Sequence, residues 1–320
     1  MKAVVYTHYG PPEVLQIKEV EKPKPKKNEV LVRVHATTVN RTDTGFRDVE
    51  YFAVRVAGGF FKPRHQILGS EFSGVIESVG EEVKNFKSGD EVFGLKTYQF
   101  GAHAEYICVS ENGSIALKPN NFSFEEAAAV CDGLMLAINY IRNMDFSKSP
   151  KVLINGASGS IGSAAVQLAK YYGAQVTAVC GTKNLDLIKS LGADFVIDYM
   201  TTDFTLTDKQ FDYVLDSVGK SSFGRCKKIL KQGGVYFSSE LGSYWQNVWL
   251  PLFNPLLGGK KVKFPIPTDN QKDIIFFKQL IEDGHYKAVI DRIYTFDQII
   301  EATKYVETHQ KTGNVVVRVI

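Results

Sequence analysis

The stretch KVLINGASGSIGSAAVQLAKYYG, residues 151–173, decides the fold. Val152, Leu153 and Ile154 form a short apolar run of the kind a buried strand presents. Gly156, Gly159 and Gly162 follow, spaced three apart. Behind them Ile161, Ala164, Ala165, Leu168 and Ala169 recur at helical spacing, up to Gly173 as a C-cap. Glycines let a backbone turn sharply and approach a ligand closely. A helix N-terminus then offers uncommitted N–H groups and the positive end of its dipole to an anion. Strand, glycine turn and helix in that order are the parts of a dinucleotide site. Three glycines alone would mark a tight turn; the flanking strand and helix carry the reading. The binding residues it predicts are Gly156, Ser158, Gly159, Ser160, Ile161 and Gly162.

Outward from this stretch, strand and helix patterns alternate. Strands are predicted over 175–180, 194–199, 211–216 and 234–239, with helices after Asn184 and over 223–230. Such alternation specifies α/β architecture with a parallel, doubly wound sheet of the Rossmann kind, assigned to residues 123–266. The chain before it is β-rich. Short Val-rich runs at 2–6 and 29–35, and others at 67–80, 91–94 and 104–109, are separated by glycine turns. They predict a partly closed barrel. Between the first two, EKPKPKKNE at 21–29 reads as a solvated connector. Ser123 and Glu126 form a capping box for one long helix running toward Tyr140. Residues 242–267 combine Tyr244, Trp245, Trp249 and Phe253 with prolines and glycines. They fit a buried lid, a sheet edge, a substrate wall or a subunit contact. The last strand, helix and strand, at 288–294, 296–308 and 314–320, return to the first domain, which comprises 1–122 and 267–320.

Composition narrows the function classes. With 44% apolar and 23% charged residues, the balance is that of a globular protein. A net charge of +3, from 38 basic and 35 acidic residues, is too small to argue for nucleic acid or an anionic membrane. No run approaches the ~20 apolar residues that span a bilayer, and no signal peptide precedes the first strand. Cys108, Cys131, Cys180 and Cys226 lie far apart without a CxxC, which fits reduced thiols in the cytoplasm.

The second strand ends at Cys180, Gly181, Thr182, Lys183 and Asn184. An NAD-selective site places an acid here to accept from the ribose 2′-hydroxyl. Thr182 and Lys183 instead suit a 2′-phosphate, so NADPH is predicted over NADH. Tyr199, ending the third strand on the same side, is placed to close over the adenine ribose. Ser217 and Asn314 complete the cofactor set.

These residues carry a family resemblance. YGPPEVL at 9–15, VNRTD at 39–43, ILGSEFSGVIESVG at 67–80, GDEVFG at 89–94, GAHAEY at 101–106, NGASGSIGSAAVQLAK at 155–170, VIDRIYTFDQIIEA at 289–302 and TGNVVV at 312–317 resemble the medium-chain dehydrogenase/reductase superfamily, in its zinc-free quinone oxidoreductase branch. The resemblance implies a discontinuous GroES-like barrel, an inserted Rossmann domain and a cofactor cleft between them. In the zinc alcohol dehydrogenases of this superfamily a cysteine ligand stands where this chain has Asn40, and a histidine where it has Ser70. Neither replaces a thiolate or imidazole, and no cysteine-rich lobe lies between Gly94 and Gly101, so no metal is expected.

Without a metal to lower an alkoxide pKa, hydride delivery to an electron-poor acceptor is the easier chemistry. The acceptor is a small hydrophobic quinone or α,β-unsaturated carbonyl compound. The resemblance places Asn40 beside the nicotinamide, as a hydrogen-bond partner of substrate or carboxamide. Asp43 orients neighbouring loops or is a buried structural carboxylate. Tyr51 and Tyr98 are proton donors or pocket walls; Tyr51 is the catalytic candidate of the two. His103 reads as structural. The aromatic stretch 49–64, with Phe52, Phe60 and Phe61, forms a lid or pocket wall. Two rival functions stand beside the reductase: an enoyl-thioester reductase, and an NADPH-binding sensor or structural protein without turnover. Relatives suggest a homodimer through sheet edges.

Overall fold

The computed structural model describes residues 1–49, 52–97 and 99–320, the side chains of residues 52, 53 and 57 excepted. Tertiary contacts divide the chain into two compact units. The first is Met1–Asp132, Asp269–Gly284 and Ala288–Ile320; the second is Gly133–Thr268 and His285–Lys287. The first segment of the first unit ends at Asp132.

The first unit opens with strands β1 (Lys2–Val5), β2 (Gln16–Glu19) and β3 (Glu29–Val39). Helices α1 (Arg41–Asp48) and α2 (Phe52–Gly58) follow, then β4 (Glu71–Val79), β5 (Glu91–Leu95), β6 (Tyr106–Ser110), β7 (Ile115–Leu117) and α3 (Phe124–Ala128). Helix α4 (Cys131–Ile141) leads into the second unit: β8 (Lys151–Asn155), α5 (Ser160–Tyr171), β9 (Gln175–Cys180), α6 (Leu185–Ser190), β10 (Phe195–Asp198), β11 (Phe211–Asp216), α7 (Phe223–Cys226), β12 (Leu230–Ser238), α8 (Gln246–Trp249) and β13 (Lys261–Lys263). The chain closes with α9 (Gln271–Glu282), β14 (Ile290–Thr295), α10 (Ile299–Glu307) and β15 (Asn314–Arg318), all in the first unit.

Strand β3 organises the first unit. Val30, Val32 and Val34 lie on one face of the strand and join a core with Phe72, Ile76, Val92, Ile107 and Ile115. Each such side chain contributes about 1.5–3 kcal/mol when fully buried. The strand pairs β4 along one edge. Along the other, β6 pairs its first half and β15 its second. This shared edge curls the sheet into a partly closed barrel and carries β3 past His35 to Val39. It also brings the C-terminal strand home to the first unit.

The single helix expected from Ser123 to Tyr140 is two helices. The capping box of Ser123 and Glu126 starts α3 as predicted. The next turn breaks because the N–H of Asp132 donates to the Glu71 carboxylate at 2.7 Å, outside the helical ladder.

In the second unit six strands run in the order β10-β9-β8-β11-β12-β13, every neighbouring pair parallel. The order reverses at β8 and β11, and ligands of such sheets bind beyond the strand ends at that point. Leu153, Val179, Val214 and Tyr236 fill the core beneath it. Residues 242–267 are not the buried lid that was one expectation. Tyr244 is 96% exposed, Leu252 78% and Leu256 79%. They lie beside the edge strand β13, whose Val262 N–H and C=O are both held by the Asn254 side chain at 2.7 and 3.0 Å.

Candidate functional site

The predicted glycine turn sits between β8 and α5, at the reversal of the sheet. Its three glycines differ in what constrains them. Gly156 has φ +78°, and a Cβ there would lie 2.4 Å from Val218 Cγ1. At Gly162 a Cβ would lie 2.2 Å from the Gly156 carbonyl oxygen, so glycine lets the helix pack against the turn. Gly159 has no such internal reason. Its φ is −77°, and a Cβ would meet only the Gly156 oxygen, at 3.6 Å. The space in front of Gly159 is open, as a closely approaching phosphate requires.

Gly159 is the N-cap of α5, with no side-chain cap and no acidic residue in the first turn. Ser160 Oγ beside it is buried without a hydrogen-bond partner among the described residues. Uncovered helix N–H groups, a cradle that a Cβ would fill and an orphaned hydroxyl together fit a dinucleotide pyrophosphate. Ser158 and Ile161 lie partly exposed in the same turn. Ser217 braces it: its hydroxyl donates to the Asn155 carbonyl at 2.7 Å.

At the neighbouring strand ends, Thr182 and Lys183 are exposed on the turn after β9. Tyr199 follows β10, and its hydroxyl lies 3.2 Å from where a Cβ on Gly181 would stand. The three predicted residues therefore do gather at one corner. An acid comes with them. Asp198 accepts from Thr182 Oγ1 at 2.6 Å and from the Met200 N–H at 2.9 Å. Reading the end of the second strand alone misses it, because strand pairing sets Asp198 opposite Cys180.

The remaining predicted residues belong to the first unit. Asn40 ends β3 as the N-cap of α1 in a reciprocal capping box with Asp43. Its Oδ1 accepts from the Asp43 N–H at 3.0 Å, and its Nδ2 donates to Ser70 Oγ at 2.9 Å. The buried Asp43 carboxylate accepts from the Asn40 N–H at 3.0 Å and the Gly69 N–H at 2.9 Å. Asp43 thereby holds the backbones of Asn40 and of Gly69, the residue before Ser70. His103 is buried, with Nε2 2.8 Å from the Thr38 carbonyl oxygen. Asn314 starts β15 and donates to the Val289 carbonyl at 3.1 Å. Phe60 and Phe61 are exposed, edge to face at 5.0 Å. Tyr51, Tyr98 and the Phe52 side chain lie outside the described residues.

Sequence reading passed over Glu71. It is fully buried, accepting from Thr38 Oγ1 at 2.5 Å and the Asp132 N–H at 2.7 Å. Burial, then the Asp132 carboxylate, pushes its pKa up. Burial also raises Asp132 and lowers Lys311, which faces both acids. A carboxylate opening an otherwise apolar strand, in GSEFSGVI, was the available signal.

Residues 26–119 match the alcohol dehydrogenase GroES-like domain, and residues 191–317 match the zinc-binding dehydrogenase family model. The chain is 34% identical, over all of its length and 79% of the relative's, to the 2-methylene-furan-3-one reductase of Solanum lycopersicum. It belongs to the medium-chain dehydrogenase/reductase superfamily. As a member of this superfamily it is an oxidoreductase. It is also 32% identical to the chloroplastic NADPH-dependent alkenal/one oxidoreductase of Arabidopsis thaliana, over 99% of this chain and 79% of that one. The solved quinone oxidoreductase of Coxiella burnetii superposes with a TM-score of 0.89 at 26% identity, covering 100% of this chain and 99% of that one. The zinc in the family description finds no fitting donor set here. Asn40 and Ser70 are neutral and bonded to each other, and no three His, Cys, Asp or Glu residues cluster suitably among the described residues. No described helix is long and apolar enough to cross a membrane.

Proposed function

We propose that this dehydrogenase/reductase uses NADPH, without zinc, to reduce quinones or α,β-unsaturated carbonyl compounds. The observation that carries the reading is the Asn40–Ser70 hydrogen bond at 2.9 Å, where a zinc alcohol dehydrogenase needs a thiolate and an imidazole. Two neutral amide and hydroxyl groups cannot depress an alkoxide pKa as zinc does. They can polarise an acceptor that is already electron-poor. The names of the similar proteins, an alkenal/one oxidoreductase and a quinone oxidoreductase, support the same acceptor class.

The cofactor would lay its pyrophosphate against Gly159 and the start of α5, near Ser158, Ser160 and Ile161. A bound nicotinamide supplies the hydride. Thr182, Lys183 and Tyr199 favour NADPH over NADH by meeting the 2′-phosphate. Asp198 opposes that preference less than a free acid would, because its oxygens are engaged by Thr182 and Met200. Asn40 and Tyr51 remain the candidates in contact with the reacting groups, and Asn314 a further cofactor contact. The four cysteines form no disulfide, which suits the cytoplasm. The exposed aromatics Tyr244, Trp245 and Trp249 suit a homodimer contact.

The test is NADPH oxidation against benzoquinone, phenanthrenequinone, a simple enone and a crotonyl thioester, with NADH as control. Turnover of a quinone or enone, faster with NADPH, is expected. Fastest turnover of the thioester would make the chain an enoyl-thioester reductase. Tight NADPH binding with no turnover of any acceptor would make it a sensor or structural protein.

A further inference from the structure

The orientation of the Asn40 amide decides what Ser70 can do. Oδ1 faces the N–H of Asp43, which can only donate, so that side must be the oxygen. The other side is therefore the NH2, and it donates to Ser70 Oγ. Ser70 accepts this bond, and Asn40 is the only described hydrogen-bond partner of that hydroxyl. The hydroxyl hydrogen of Ser70 is then left over, as is the second hydrogen of Asn40 Nδ2. Ser70 is 1% and Asn40 5% exposed, so water does not meet these donors freely. A buried donor without an acceptor costs about 1–3 kcal/mol. The Asp43 carboxylate, gripping the Asn40 and Gly69 N–H groups, keeps the pair from relaxing to recover that cost.

We propose that Ser70 is a catalytic residue whose hydroxyl donates to the acceptor's carbonyl oxygen, aimed by its bond from Asn40 and by Asp43 as a positioning residue. The assignment rests on the reductase reading above. As hydride forms a C–H bond at the β-carbon of an enone, the C=C pair shifts toward the carbonyl and negative charge collects on its oxygen. NADPH is oxidised to NADP⁺ and the alkene is reduced. Ser70 keeps its proton and stabilises the enolate by a hydrogen bond; the α-carbon takes its proton from water. A preorganised donor is worth most at an oxygen where charge develops. Donation by Asn40 into Ser70 polarises the hydroxyl further.

Ser70→Ala tests this, with Ser70→Thr as the variant that restores a hydroxyl. Melting temperature and NADPH affinity, by fluorescence titration, should match the wild type for both. Enone kcat should fall about 10²–10³-fold in Ser70→Ala, the cost of one oxyanion donor. Quinone kcat should fall less, because the hydroquinone anion stabilises its own charge. Ser70→Thr should recover most of the enone rate. A readout without turnover uses 4-nitrophenolate as the oxyanion mimic on the NADP⁺-loaded protein. The wild type should bind it about tenfold more tightly than Ser70→Ala, the value of one charge-assisted bond. Equal phenolate binding by the two proteins, or equal losses for enone and quinone, would overturn the assignment. A wild type that binds the phenolate but reduces no acceptor would instead count against the reductase reading.

Discussion

Gly159→Ala separates a glycine kept for a ligand from glycines kept for the fold. Replacing glycine with alanine at an N-cap costs about 0.5–1 kcal/mol. At φ −77° alanine is unstrained, and narrowing the unfolded chain returns about 0.4–1 kcal/mol. The added Cβ meets nothing closer than the Gly156 oxygen at 3.6 Å. The net change should be within about 1 kcal/mol, or about 2–4 °C in Tm. In the same position the methyl group occupies the open space before the α5 N-terminus. Losing one charge-assisted bond to a phosphate costs about 1.5–3 kcal/mol. NADPH affinity should therefore fall about 10–150-fold. Gly162→Ala is the contrast: its Cβ would stand 2.2 Å from a backbone oxygen. That overlap should cost about 1–3 kcal/mol or more and lower Tm by about 3–10 °C. The assays are thermal melting of the cofactor-free protein and fluorescence titration with NADPH. Gly159→Ala binding NADPH within about threefold of wild type would refute the reasoning, as would a Tm loss like that of Gly162→Ala.

Three further outcomes are expected. Lys183→Glu should lower kcat/KM for NADPH about 30- to 100-fold, by turning attraction into repulsion worth about 2–3 kcal/mol, while NADH kinetics stay nearly unchanged. Asp198→Asn should shift preference further toward NADPH, read as the NADPH-to-NADH ratio of kcat/KM, since it removes a negative charge beside Thr182. Glu71→Gln should flatten the pH dependence of stability. Burial raises the Glu71 pKa above its ordinary 4.5, so the folded chain retains a proton that the unfolded chain releases. That contribution is full below the unfolded value and is lost as pH rises toward the folded one. Asp132 and Asp43 face Glu71 and add to the shift, while Lys311 nearby compensates part of the charge. Wild type should lose Tm relative to Glu71→Gln as pH climbs from acid to neutral; parallel melting curves across that range would contradict the burial argument.

Much of this protein is legible in local pattern. The glycine turn, the apolar run before it and the helical spacing after it are contiguous, and backbone stereochemistry alone ties them to a strand, a turn and a helix. The Val-rich run at 29–35 likewise declares a strand. The capping boxes at Asn40 and Ser123 are encoded within four residues each. Tertiary structure decided what depends on partners distant in the chain. Glu71 meets Asp132 across 61 positions and breaks a helix that local propensity would have continued. Asp198 reaches Thr182 across 16 because β9 and β10 pair in register. Asn40 and Ser70, 30 apart, become one hydrogen-bonded unit only when β3 and β4 pair and Asp43 binds the turn between them. Propensity and periodicity are properties of neighbours in sequence, whereas the protonation of a buried acid and the direction of a hydroxyl are set by whatever the sheets place within 3 Å of it.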